Sequence, residues 1–212
     1  MKSVKLKVFS VVLCLFFILI TILAIKGFSY FVNIVEDFRG YDYDSKLAKG
    51  YDWTGPKQGE IINLNYLVNS RGASISQLQK KDLTLLTVVD PACGACKQTQ
   101  EQMRFLEENL ADSGVNYFIV CFSPKTSPSD LTTYVKTLNL SADSFSWTNG
   151  LETVLPSLKA IAYPSHILVD AQGMVIKSFP GTSSEKSVRD RMVRQVLKEV
   201  IQENNVASQR AY

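Results

Sequence analysis

Cys93 and Cys96 stand with two residues between them in the stretch DPACGACKQTQ, Asp90 to Gln100. Ahead of them LTLLTVV, Leu83 to Val89, is a continuous apolar and β-branched run, the pattern of a strand buried on both faces. Pro91 breaks that run, and a helical pattern begins near Cys93. A thiol in a helix's first turn faces unpaired backbone N–H groups and the positive end of the helix dipole, and both favour the nucleophilic thiolate. The spacing places Cys96 one turn inside the helix, close enough to close a disulfide, and Lys97 adds a neighbouring positive charge. A tetrahedral zinc site would need two more Cys or His ligands. Outside the apolar N-terminal run the chain offers only Cys121 and its single histidine, His166. Two packed cysteines without redox work form the bland alternative. The dithiol is the reading the placement favours.

The elements that must position this pair alternate between strand and helix. EIINLNYLVNSRGASISQL reads as two short strands around a turn at Asn69 to Gly72. After the cysteines, Met103, Leu106 and Leu110 share one helical face and Gly114 closes the segment. VNYFIVCFS, Val115 to Ser123, is a second buried strand, and SPSDLTTYVKTLNL and ETVLPSLKAI are helices or turns between elements. SHILVDAQGMVIKSF, Ser165 to Phe179, predicts a hairpin turning at Gln172-Gly173. A last helix is expected from about Ser184 to Ile201, with Thr182 to Glu185 resembling a capping box and Val188, Met192, Val196 and Val200 forming one stripe. Alternating strands and helices with a late antiparallel hairpin imply an α/β fold, a mixed sheet covered on both faces.

The N-terminus has a different character. Lys2, Lys5 and Lys7 precede Val8 to Ile25, 18 residues without a charge. At about 1.5 Å per residue this run is long enough to cross a bilayer. It exceeds the usual apolar core of a signal peptide, and LAIKGFSYF offers no small-x-small cleavage site. An uncleaved anchor is therefore expected. Three lysines lie before the span and only Lys26 directly after it, which keeps the N-terminus cytoplasmic and the rest outside. Without those four lysines the 23 basic residues fall to 19 against 20 acidic ones, a net charge of −1. No basic domain remains to attract nucleic acid. Disulfides persist outside the cytoplasm, yet four cysteines are too few for a disulfide scaffold, so an apolar core must hold the domain.

LLTVVDPACGACKQ, followed some seventy residues later by YPSHILVDAQGMVIKSFPGT, resembles the membrane-anchored thioredoxin-like thiol-disulfide oxidoreductases of the TlpA/ResA type. The likeness spans about Glu60 to Ile201 and includes the anchor. It implies a thioredoxin-like fold with an added N-terminal hairpin, preceded by one transmembrane helix. The expected organisation is a cytoplasmic N-terminus (1–7), a transmembrane anchor (8–26), a juxtamembrane linker (27–59), the thioredoxin-like domain (60–203) and a C-terminal tail (204–212). The resemblance makes Cys93 the exposed nucleophile and Cys96 the resolving thiol of a redox-active disulfide. Pro164, cis by the family's pattern, would shape the substrate groove and keep metals from the thiols. Tyr163 would offer its backbone to an extended substrate segment. No cofactor is implied. The partners implied are protein thiols and disulfides and a membrane electron donor.

The chain departs from that family at three points. Ala92 replaces the aromatic that often precedes the first cysteine. Thr87 stands where thioredoxins carry a buried Asp, and Thr99 where the ResA type has a Glu. Neither carboxylate for managing the buried thiol's proton is present, and Asp90 reads as a cap of the turn rather than a base. Cys121 and His166 read as core residues.

The first functional expectation is thiol-disulfide exchange on extracytoplasmic, periplasmic proteins, with a leaning to the reductive direction and to cytochrome c maturation. The Gly94-Ala95 dipeptide brings no charge or imidazole to stabilise thiolate strongly. Two alternatives stay open. A copper-carrying metallochaperone of related fold spaces its cysteines more widely and places its histidine later. A thiol peroxidase uses a Pro-x-x-x-Thr-x-x-Cys loop, which VVDPACGAC does not supply.

Overall fold

The computed structural model describes residues 55–123, 125–149, 153–155, 158, 163–179 and 185–210. The expected anchor, most of the linker, and Thr182 to Ser184 of the capping sequence lie outside them. Among the described residues no helix is long and apolar enough to cross a membrane.

A six-stranded mixed sheet organises these residues. Its strands are β1 (Leu67–Val68), β2 (Leu83–Val88), β3 (Val115–Cys121), β4 (Ser144–Trp147), β5 (Ser165–Asp170) and β6 (Val175–Phe179), in the order β1-β4-β3-β2-β5-β6. The helices are α1 (Ile75–Leu78), α2 (Gly94–Gln98), α3 (Gln100–Leu110), α4 (Pro128–Thr137) and α5 (Lys186–Arg210). β2 is central and every residue in it is buried. It runs parallel to β3, with Leu83 opposite Val115 and Val88 opposite Val120, and antiparallel to β5. The side-chain period of two splits its load. Leu86 and Val88 enter one core with Ile75, Phe118, Phe145, Val154 and Leu158, whereas Leu83 and Leu85 enter another with residues of α3 and α5.

Three local results differ from the sequence reading. The expected N-terminal hairpin shrinks to one bridge, Val68 with Ser74, around the Asn69 turn. Ser74 is the N-cap of α1, and Gln77 Oε1 accepts its N–H at 2.9 Å. This reciprocal capping commits the segment to a helical turn instead of a second strand. β1 pairs antiparallel with β4 instead. β4 itself has no strong signal, since SFSW is short and half polar, yet all four residues are buried between β1 and β3.

Ordered contacts also run outside residues 60–203 at both ends. Gly59 N–H donates to Val175 O at 2.8 Å, and Ser178 Oγ donates to Pro56 O at 2.6 Å. Residues 56–59 thus line edge strand β6. At the other end α5 continues past 203 to Arg210, and Asn204 Nδ2 donates to Ser113 O at 2.9 Å. The β5–β6 hairpin turns where expected: Asp170 Oδ1 accepts N–H bonds from Gln172 and Met174, and Gly173 takes φ +83°.

Candidate active site

The chain leaves the C-terminal end of β2 through Val89, whose N–H still donates to Val120 O at 2.8 Å. It then turns sharply. Asp90 Oδ1 accepts the Ala92 N–H at 2.8 Å, and Asp90 O accepts the Cys93 N–H at 2.9 Å. This side-chain-closed turn is what short acidic residues provide before a helix. Cys93 becomes the N-cap of α2 and is half-buried, while Cys96 lies inside the first turn and is fully buried. Both are free thiols. Thr99 separates α2 from α3, and its hydroxyl donates to the carbonyls of Cys96 and Ala95 at 3.0 and 3.3 Å. It is a buried structural cap.

Burial pushes the Cys96 thiol well above the usual thiol range. The Asp90 backbone N–H acts in the opposite direction, and charge on Cys93 adds to the rise. The pair is therefore asymmetric, with one thiol reaching the surface and the other held neutral in an apolar cluster with Val89, Met103, Ile119 and Cys121.

Against Cys93 stands the loop that enters β5. The Tyr163–Pro164 peptide is cis, and Cys93 Sγ lies 3.7 Å from Tyr163 O, with the thiol as donor. Pro164 is buried and Tyr163 half-buried. Burial raises the Tyr163 hydroxyl to about 12, with charges on Cys121, Asp90, Cys96 and Cys93 adding to the rise. Cys93, Cys96, Tyr163 and Pro164 thus come together at one end of the sheet.

No family model matches the chain, and no curated protein matches its sequence. Solved structures do resemble it. The thioredoxin domain of a thiol-disulfide oxidoreductase from Bacteroides vulgatus matches with TM-score 0.53 at 16% identity, over 69% of this chain and 99% of that one. A thiol:disulfide interchange protein from a Bacteroides species matches with TM-score 0.51 at 16% identity, over 68% and 90%. A hypothetical protein from Sinorhizobium meliloti gives TM-score 0.54 at 12% identity, over 71% and 87%. The fold is thioredoxin-like.

Within this thioredoxin-like frame, the places that lack carboxylates hold neutral groups. Thr87 and His166 are cross-strand neighbours on β2 and β5, with Thr87 Oγ1 at 2.9 Å from His166 Nδ1. Burial lowers the His166 pKa to about 4. That ring is part of the core, as the sequence reading expected. Cys121 is also buried, and burial raises its thiol while the Ser123 N–H and the Thr126 hydroxyl act against the rise. Among the described residues no group of three or more His, Cys, Asp and Glu side chains is arranged to hold a metal ion.

Sequence reasoning passed over Tyr134 on α4. With Leu131 at i−3 and Val135 at i+1 it reads as ordinary helix core. The fold places it in the same cluster as Cys96, with Cys93 packed against that cluster.

Proposed function

We propose that this protein is a membrane-anchored thiol-disulfide oxidoreductase that works outside the cytoplasm on protein substrates. The observation that carries the reading is the pairing of a half-buried Cys93, its sulfur against the backbone of Tyr163 beside a cis-proline, with a fully buried Cys96 one turn behind. Cys93 Sγ, as thiolate, attacks a substrate disulfide and forms a mixed disulfide, releasing the first substrate sulfur. Cys96 Sγ then attacks Cys93 Sγ, the second substrate sulfur leaves, and the protein holds the Cys93–Cys96 disulfide. The substrate gains two electrons and two protons, and the dithiol loses them. The backbone of Tyr163 offers a strand edge to an extended substrate segment, and Pro164 shapes the groove beside it.

The names borne by two of the similar structures, thiol-disulfide oxidoreductase and thiol:disulfide interchange protein, support the same chemistry. The apolar run at Val8 to Ile25 and its flanking lysines support an N-terminal anchor with the catalytic domain in the periplasm. The uncharged Gly94-Ala95 pair supports the reductive direction, with electrons supplied by a membrane donor and cytochrome c maturation as the setting.

The deciding measurement is the reduction potential of the Cys93–Cys96 pair, by equilibration with defined thiol buffers. A value near about −270 mV supports a dedicated reductant, and one near about −120 mV reverses the direction while keeping the chemistry. If no reversible disulfide forms, the reading fails.

A further inference from the structure

We infer that the Tyr134 hydroxyl donates a hydrogen bond to the Cys96 thiolate during substrate release, a role that rests on the dithiol reading above. Two independent observations point there. Tyr134 is only 7% exposed, and its hydroxyl is buried without a hydrogen-bond partner among the described residues. A phenylalanine would fill the same space without that penalty, since a buried hydroxyl that makes no bond destabilises the fold. The side chain also shares one buried cluster with Cys96, Val89, Met103, Ile119 and Cys121, and Cys93 packs against it.

The electrostatics agree with this placement. Burial is the main cause that raises the Tyr134 hydroxyl pKa, followed by charge on Cys96, then Cys93, then Asp90. Tyr134 is therefore a neutral phenol, a donor that senses the ionisation of the dithiol. In the resting reduced protein Cys96 is an uncharged thiol and asks for no donor. Its need appears in the resolving step. There the Cys96 S–H gives up its proton and the sulfur attacks Cys93 Sγ. The bond between Cys93 and the substrate breaks, and the substrate sulfur departs with the electron pair and takes up a proton. Negative charge develops on Cys96 inside an apolar cluster, where hydrogen bonds to an ion are strongest. The Asp90 backbone N–H acts in favour of that charge. Tyr134 supplies the side-chain donor.

Among the described residues, the titratable groups in or against the Cys96 cluster are Cys93 from its own helix, Asp90 from the preceding turn, Cys121 and Tyr117 from β3, Tyr134 from α4 and Tyr163 from the loop before β5. The Tyr117 hydroxyl is already engaged by Thr87 and Met103 O, whereas the buried Tyr134 hydroxyl has no partner among the described residues, so its removal isolates the effect.

The test uses the full chain in detergent and a chromogenic aromatic disulfide, 5,5′-dithiobis(2-nitrobenzoate), in stopped flow. The first equivalent of coloured thiolate reports attack by Cys93. The second reports resolution by Cys96, and a Cys93→Ser control measures the background from the remaining thiols, which is subtracted. In Tyr134→Phe the second phase should slow about tenfold near neutral pH, the scale of one charge-assisted hydrogen bond. Its pH profile should move up by about one unit. The first phase should not change, and the reduced variant should resist urea at least as well as the parent. Tyr134→Leu should show the same kinetic split. Coincident second-phase profiles in parent and variant overturn the inference, as does a loss of urea resistance without a kinetic change. A parent protein that gives no second equivalent overturns the dithiol reading itself.

Discussion

Thr87 Oγ1 and His166 Nδ1 stand 2.9 Å apart across β2 and β5, at the head of a buried chain whose direction its last member sets. Tyr117 Oη donates to Met103 O at 3.4 Å, because a carbonyl can only accept. Thr87 Oγ1, at 3.2 Å, then donates to Tyr117 Oη, and His166 Nδ1–H must donate to Thr87. One neutral chain replaces the carboxylate that thioredoxins hold at the Thr87 position. The oxidoreductase proposed here would therefore run its buried thiol without a carboxylate at that position.

The chain predicts an acid-side stability loss. Burial lowers His166 from 6.5 in the unfolded chain to about 4 in the fold, so between those values the unfolded state binds more protons. Stability is then full above about pH 6.5 and falls as pH drops toward 4, by up to about 1.4 kcal/mol per unit and on the order of 3 kcal/mol in all. Urea midpoints at pH 7.5, 6.0 and 5.0, above the range of most carboxylates, should show this slope. A His166→Gln variant should flatten it. An equal slope in both proteins would assign the loss to other groups.

Removing the middle of the chain should cost more than removing its volume. Thr87→Val keeps the shape but leaves the His166 N–H without its acceptor inside the core. The expected destabilisation is about 1–3 kcal/mol, with Thr87→Ser recovering much of it. Chemical denaturation of the three proteins at pH 7.5 checks this, and a Thr87→Val midpoint equal to the parent would refute the chain.

The asymmetry of the dithiol predicts selective chemistry. Iodoacetamide at neutral pH should modify Cys93 and leave Cys96 untouched until the protein is unfolded, because burial keeps Cys96 both inaccessible and protonated. Peptide mass spectrometry reads the two sites separately. In the same spirit, Cys96→Ser should accumulate mixed disulfides with substrate proteins, and Cys93→Ser should accumulate none. Trapping that survives loss of Cys93 would exchange the two roles.

The sequence made the central strands and the position of the dithiol legible for a physical reason. Leu83 to Val89 and Val115 to Cys121 are apolar on both faces, and a proline followed by a CxxC at a helix start leaves few alternatives. What stayed hidden depends on contacts distant in the chain. β4 becomes a strand only because β1 and β3 flank it, so Ser144 and Ser146 carry no local signal. Ser74 and Gln77 satisfy each other locally, and that small exchange turned an expected strand into α1. Tyr134 looked like any helix-core aromatic. Its unpartnered hydroxyl beside the dithiol cluster exists only in three dimensions.

Gly173 and Gly72 give a paired prediction about residues 56–62, which lie along β6. Both take positive φ, +83° and +82°, so a side chain is strained at either. Their surroundings differ. A Cβ at Gly72 would meet open space, whereas one at Gly173 would lie 2.1 Å from Ile62 O. Gly72→Ala should cost about 1 kcal/mol, the backbone cost alone. Gly173→Ala must also push back Ile62, whose N–H donates to Gly173 O at 2.9 Å, and should cost about 2–4 kcal/mol. The displacement has a local signature. Amide exchange at Ile62 and at Gly59, which donates to Val175 O, should accelerate together in Gly173→Ala and stay at parental rates in Gly72→Ala. Acceleration in neither variant would mean that residues 56–62 hold to β6 without the help of the turn.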